Sequence, residues 1–206
     1  MKNKKTLALL VASAAFALPA LAQSSSKAEL PAVQRAVHVC ASCHGDEGRS
    51  KDKLAPSLAG QMREYTIRQL KDFRSQARSE TDIQAYMWGI SALLTDEQIE
   101  GLADYYAAQK PAAPKSRNPK LEAAGKELFF KGVPDKGVRD CASCHGDQAE
   151  GAAGFPRLAG LHPDYVYRQL RAFRTPLRPH GVLMKNETQA LTETQLRELA
   201  AYVGSR

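Results

Sequence analysis

Past its N-terminal segment, the chain has no apolar run long enough to cross a bilayer, which takes about 20 residues. That excludes a polytopic membrane protein. No stretch alternates apolar and polar residues as a half-buried strand does, and no hairpin turn joins two such runs. A β-rich fold is therefore not expected. Basic residues never form a run interleaved with aromatics, which argues against a nucleic-acid role. Cysteine is scarce as well, with four in 206 residues. All four fall in two copies of one heptapeptide, CASCHGD, at 40–46 and 141–147.

The N-terminal segment reads as an address rather than as structure. A basic MKNKK precedes the short apolar TLALLVASAAFALP, and small residues Ala20 and Ala22 stand before Gln23. This is the pattern of a cleaved general secretory signal over residues 1–22; it lacks a twin-arginine pair, and Gln23, not Cys, follows the predicted cut. Export into a periplasm is the expectation, and there a thiol pair oxidises unless it is occupied or deliberately reactive. The remaining charge is uneven. Residues 23–109 carry 10 basic and 12 acidic side chains, whereas residues 110–206 carry 16 and 10. Such a dipole suits oriented docking on a partner.

The sequence also repeats itself far beyond the heptapeptides. At a shift of 100 residues LAPSLAG (54–60) answers GFPRLAG (154–160), and YTIRQLKDFR (65–74) answers YVYRQLRAFR (165–174). At a shift of 97, Met87 falls opposite Met184, and LTDEQIEGLADYY (94–106) opposite LTETQLRELAAYV (191–203). Two homologous all-α domains, 23–109 and 120–206, are expected, joined by a Pro-rich linker over 110–119 with little in it that could pack. Pro31 and Pro119 suit the first turn of a helix in each half. Thr95 with Gln98 and Thr192 with Gln195 read as capping boxes. The apolar faces that follow are Ile99, Leu102, Ala103, Tyr106 and Leu196, Leu199, Ala200, Val203. Domains this small often need a staple or cofactor to hold together.

C-x-x-C-H is the attachment motif of c-type haem: two thiols bond the porphyrin and the adjacent histidine is carried to the iron. The same four cysteines, Cys40, Cys43, Cys141 and Cys144, could instead form one Cys₄ zinc site, although the gap is long and the histidines would be idle. A redox dithiol is the third reading, without the βαβ context it usually has. Haem iron held by His44 and His145 takes a second axial ligand unless it binds a small molecule. Met87 and Met184 share a position ahead of the last helix, in a segment expected to be non-helical. Met62 has no methionine counterpart and reads as core filler. His180, close to Met184, is the rival ligand for the second iron. Pro56 and Pro156 follow the histidines by 12 and 11 residues, and their carbonyls can accept an imidazole N–H.

The order CASCHG, APSLAG or FPRLAG, a lone methionine and a final aromatic-bearing helix resembles class I cytochromes c. The tandem arrangement with YTIRQLKDFR and YVYRQLRAFR is similar to the dihaem cytochrome c4 group over residues 30–206. That resemblance implies two covalently bound haem c groups, thioethers at Cys40, Cys43, Cys141 and Cys144, and axial His44, Met87, His145 and Met184. It implies Pro56 and Pro156 as carbonyl acceptors for the two histidines. It also implies a periplasmic electron carrier, not an enzyme, that docks on redox proteins (a terminal oxidase, a dehydrogenase or another cytochrome). Members are often held at the membrane surface. The alternative is the cytochrome subunit of a sulfur-oxidising or peroxidase-type enzyme with one open iron. Two features depart from the pattern. The first half lacks the G-x-x-L-F of Gly125, Leu128 and Phe129, and the second inserts GVPDKGVRD before Cys141. Arg157, Arg168, Arg171, Arg174 and Arg178 concentrate positive charge in the second half, as a solvated helix face or, functionally, as a docking rim or partners for haem propionates.

Overall fold

The computed structural model describes residues 26–79, 84–115 and 118–206; the predicted signal at 1–22 lies outside them. The described residues are helical, with two isolated bridges and no strand. The first repeat comprises α1 (Ser26–His44), α2 (Arg63–Arg74), α3 (Gln84–Ala92) and α4 (Asp96–Ala107). The second comprises α5 (Pro119–Lys131), α6 (Ala142–His145), α7 (Pro163–Ala172), α8 (Val182–Gln189) and α9 (Glu193–Gly204). Pro119 opens α5, capped by the Asn118 side chain, whereas α1 begins before Pro31 and runs through it. No described helix is long and apolar enough to cross a membrane.

Both capping boxes form. The Thr95 and Thr192 hydroxyls accept from the Gln98 and Gln195 amides, and those glutamines return the bond to the threonine N–H. This fixes the start of α4 and α9 and turns the faces Ile99, Leu102, Ala103, Tyr106 and Leu196, Leu199, Ala200, Val203 inward. In the second repeat α5 lies directly on α9. A Cβ at Gly125 would collide with the Glu198 carbonyl, so only glycine permits this approach. The first repeat makes the same crossing with the glycine on the other helix: Gly101 of α4 meets Val33 of α1, whose Cγ2 is 2.6 Å from where a Cβ would sit. The glycine missing from the first helix is thus replaced by one on the last.

The segment between the repeats packs more than its composition suggests. Ala112 is buried, and Pro111 sits against Gly60. The Lys115 N–H donates to the Gly204 carbonyl at 2.7 Å. Its ammonium donates to Ser57 Oγ and to the Gly160 carbonyl, each at 2.8 Å, joining both repeats.

The repeats meet across a pseudo-two-fold interface built from one side-chain set used twice. Arg78 donates to Gln69 of its own repeat (2.7 Å) and to Tyr165 Oη (3.2 Å) and Gln169 (2.8 Å) of the other. Arg178 donates to Gln169 (2.7 Å), and across the interface to Tyr65 Oη (3.3 Å) and Gln69 (2.7 Å). Each guanidinium also stacks on the phenylalanine of its own repeat, Phe73 or Phe173, at 4.5 and 4.0 Å. Further out, Arg68 donates to the Gly154 carbonyl and Arg168 to the Leu54 carbonyl. Arg78 and Arg178 are 5% and 8% exposed, so Arg178 is an interface residue and not part of a surface docking rim. Arg174 is similarly committed, to carbonyls of Thr188 and Leu191. Of the predicted rim, Arg171 remains largely exposed.

Two measurements follow from this packing. Gly125→Ala should destabilise the second repeat by about 1–3 kcal/mol, the usual cost of overpacking, seen as a lower denaturant midpoint. An unchanged midpoint would mean that α5 and α9 separate freely. Replacing Arg78 and Arg178 together with alanine should split one calorimetric unfolding transition into two, because each deletion strands the opposite glutamine and tyrosine.

Candidate haem sites

Each heptapeptide sits at the end of a helix. CASCH forms the last turn of α1, and ASCH of the second copy forms the single-turn α6. The next residue is Gly45 or Gly146, with φ of 77° and 79°, so the chain leaves the helix immediately after the histidine. That exit turns both imidazoles inward; His44 is 8% exposed and His145 5%.

Each imidazole Nδ1 lies on a proline carbonyl, His44 on Pro56 at 2.8 Å and His145 on Pro156 at 2.9 Å. A carbonyl can only accept, so Nδ1 carries the proton and Nε2 holds a lone pair. Burial lowers both histidine pKa values, while the carbonyl bond works in the opposite direction. The result is two neutral imidazoles of fixed tautomer, the form in which a histidine binds a metal.

A single cavity of about 760 Å³ reaches from one histidine to the other. Met87 and Met184 line it, as do Cys40 and Cys43 and the interface arginines, glutamines and tyrosines; Met62 does not. Both lining methionines lie on short helices, α3 and α8, rather than in non-helical segments. These helices run only 9 and 8 residues, too short for apolar periodicity to announce them. They are held by bonds from outside the helix: Trp88 Nε1 donates to the Arg78 carbonyl at 2.7 Å, and Arg139 Nε to the Glu187 carboxylate at 2.8 Å. His180 also reaches the cavity wall, but its Nδ1 contacts Asp72 of the other repeat at 2.8 Å and its side chain is exposed.

The donor set fits haem. The cavity wall is mainly apolar, and two of its side chains hold a buried polar atom without a hydrogen-bond partner, Tyr106 Oη and Arg157 Nε; the Arg157 guanidinium is a ready counter-charge for a propionate. The four thiols form no disulfide. Among the described residues no three His, Cys, Asp or Glu side chains converge, so the Cys₄ zinc site is not assembled. Burial raises the Cys40 pKa and pushes that of Cys141 up to about 12, which leaves neither as a reactive thiolate. Sequence reasoning missed the interface group altogether. Its signal was present, since Tyr65, Gln69 and Arg78 recur at one shift as Tyr165, Gln169 and Arg178.

Fold and sites together define a two-centre c-type cytochrome. The family model described as Cytochrome c matches residues 32–109 and again 122–206. The chain is 36% identical over 171 residues to cytochrome c4 of Thiocapsa roseopersicina, covering 80% of this chain and 85% of that protein. It is 33% identical over 174 residues to the thiosulfate dehydrogenase electron acceptor of Stutzerimonas stutzeri, covering 81% and 78%. The crystal structure of reduced recombinant cytochrome c4 from Pseudomonas stutzeri superposes with a TM-score of 0.76 at 31% identity, covering 85% of this chain and 97% of that one. The chain belongs to the cytochrome c family, within its dihaem c4 group, and carries two covalently bound haem c groups.

Changing Cys141 and Cys144 together to serine should halve the haem that stays bound to the chain after acidic organic extraction. Full retention would mean that the second heptapeptide is not an attachment site.

Proposed function

We propose that this dihaem electron carrier works in the periplasm, taking single electrons from a dehydrogenase or another cytochrome and delivering them toward a terminal oxidase. Its general role as an electron carrier with redox-protein partners follows from its relatives. The finer reading is supported by the signal-like residues 1–22, by the unequal charge of the two halves, and by the similarity to a thiosulfate dehydrogenase electron acceptor. In this reading residues 23–109 and 120–206 each form one haem domain, with 110–119 between them.

One observation carries the site assignment. Each repeat places a buried histidine, its Nδ1–H committed to a proline carbonyl, on the wall of a cavity that a methionine also lines. Bound haem supplies reversible one-electron Fe(III)/Fe(II) chemistry. Cys40, Cys43, Cys141 and Cys144 hold it covalently. His44 and His145 would hold the irons through Nε2, and Met87 and Met184 would supply thioether sulfur, a ligand that favours the reduced metal. Pro56 and Pro156 keep the imidazoles in one tautomer and orientation in both redox states. The apolar walls exclude water and favour the less charged ferrous form. With the irons held by side chains on both sides, no substrate would need to reach them, and the haem would supply outer-sphere one-electron transfer.

The test is the absorption spectrum, oxidised, reduced and reduced under carbon monoxide. The unmodified protein should show two c-type haems per chain, a methionine–iron charge-transfer band and no response to carbon monoxide. Met87→Ala and Met184→Ala should each open one haem of the two to carbon monoxide. A response in the unmodified protein would transfer the assignment to an enzyme with an open iron.

A further inference from the structure

We infer that Gln61, a side chain of the first repeat, tunes the iron of the second repeat through the peptide that holds His145. The inference rests on the axial role of His145 proposed above.

Gln61 is 7% exposed, and its amide spans the repeat boundary. Nε2 donates to the Arg157 carbonyl at 2.9 Å. Oε1 accepts from the Arg157 N–H at 2.8 Å and from the Met62 N–H at 2.9 Å. The network fixes the amide's orientation, because a flipped amide would set its NH₂ against two backbone donors.

The Arg157 N–H belongs to the same peptide unit as the Pro156 carbonyl, which accepts from His145 Nδ1 at 2.9 Å. A peptide is one conjugated group. When its N–H donates, electron density moves to its oxygen, and the oxygen becomes a stronger acceptor. The chain of bonds therefore runs from Gln61 Oε1 through one peptide to Nδ1–H of His145. A stronger acceptor at Nδ1–H makes the imidazole a more basic ligand, which stabilises the oxidised metal.

Among the described residues the first repeat has no equivalent. At the shift of 100 residues the counterpart of Gln61 is Leu161, an apolar side chain buried in the second repeat's core, with nothing to offer the Pro56–Ser57 peptide. The two histidine–proline bonds are otherwise nearly equal, at 2.8 and 2.9 Å. Gln61 is thus a positioning residue that acts on one centre only, from the opposite repeat. It makes the potential of the second haem depend on the contact between the repeats, while the first haem has no such dependence through this route.

The experiment compares Gln61→Leu and Gln61→Glu in the haem-loaded protein. Midpoint potentials would be read for each haem by spectroelectrochemistry, and the His145 Nδ1–H resonance in the reduced protein. Gln61→Leu removes the acceptor: it should raise the second haem's potential, increase its reduced-to-oxidised ratio severalfold at a fixed poise, and move the His145 resonance toward a weaker hydrogen bond. Gln61→Glu keeps an acceptor oxygen with more charge, and should hold or lower that potential. The first haem should not move in either variant. An unaltered second potential in Gln61→Leu, with two haems and the methionine band intact, would overturn the inference. So would a shift of the same sign in both variants, which marks a loosened interface instead. Failure of the haem assignment itself would be visible beforehand, as a missing haem or methionine band in the unmodified protein.

Discussion

The structure depends on a buried histidine whose single N–H must find an acceptor inside the protein. It is largely shielded from water, and an unsatisfied donor there would cost about 1–3 kcal/mol. The chain answers with a carbonyl that has no N–H of its own residue to compete, that of proline, 11 or 12 residues downstream. The left-handed glycine after the histidine and the turn that brings the proline back both follow from that requirement. So does the chemistry, because an imidazole fixed at Nδ1 has only Nε2 to offer.

Much of this was legible in the sequence because it is local. The heptapeptides, the capping boxes and the faces of α4 and α9 depend on residues within one or two turns of each other. What escaped reading is non-local. Met87 and Met184 lie on helices held from outside, by the Trp88 bond to the Arg78 carbonyl and the Arg139 bond to Glu187, rather than by their own periodicity. The crossing of α1 and α4 uses Gly101 where the second repeat uses Gly125, a swap that shows only when the two helices are brought together. Arg178 read as surface charge, yet it is buried by residues more than 100 positions away. Lys115, in a segment that reads as a loose linker, is tied to both repeats.

The symmetry of the molecule is informative where it holds and where it fails. It holds at the histidines, the prolines, the methionines and the interface arginines, which give two equivalent centres facing a shared cavity. It fails at Gln61 and Leu161, at Ser57 and Arg157, and in net charge. A carrier with two interchangeable centres would have no preferred direction. The departures from symmetry are what can make one end differ from the other.

The interface has a final consequence for how such a chain could arise. Each repeat presents one tyrosine, one glutamine and one arginine, and these meet the same three residues of the other repeat in the reciprocal sense. A surface that recognises its own duplicate is the defining property of an isologous contact between identical subunits. The two-haem chain therefore has the geometry of a homodimer of single-haem proteins whose subunits have been fused end to end. Fusion frees the halves to diverge while retaining the contact that once required them to be identical.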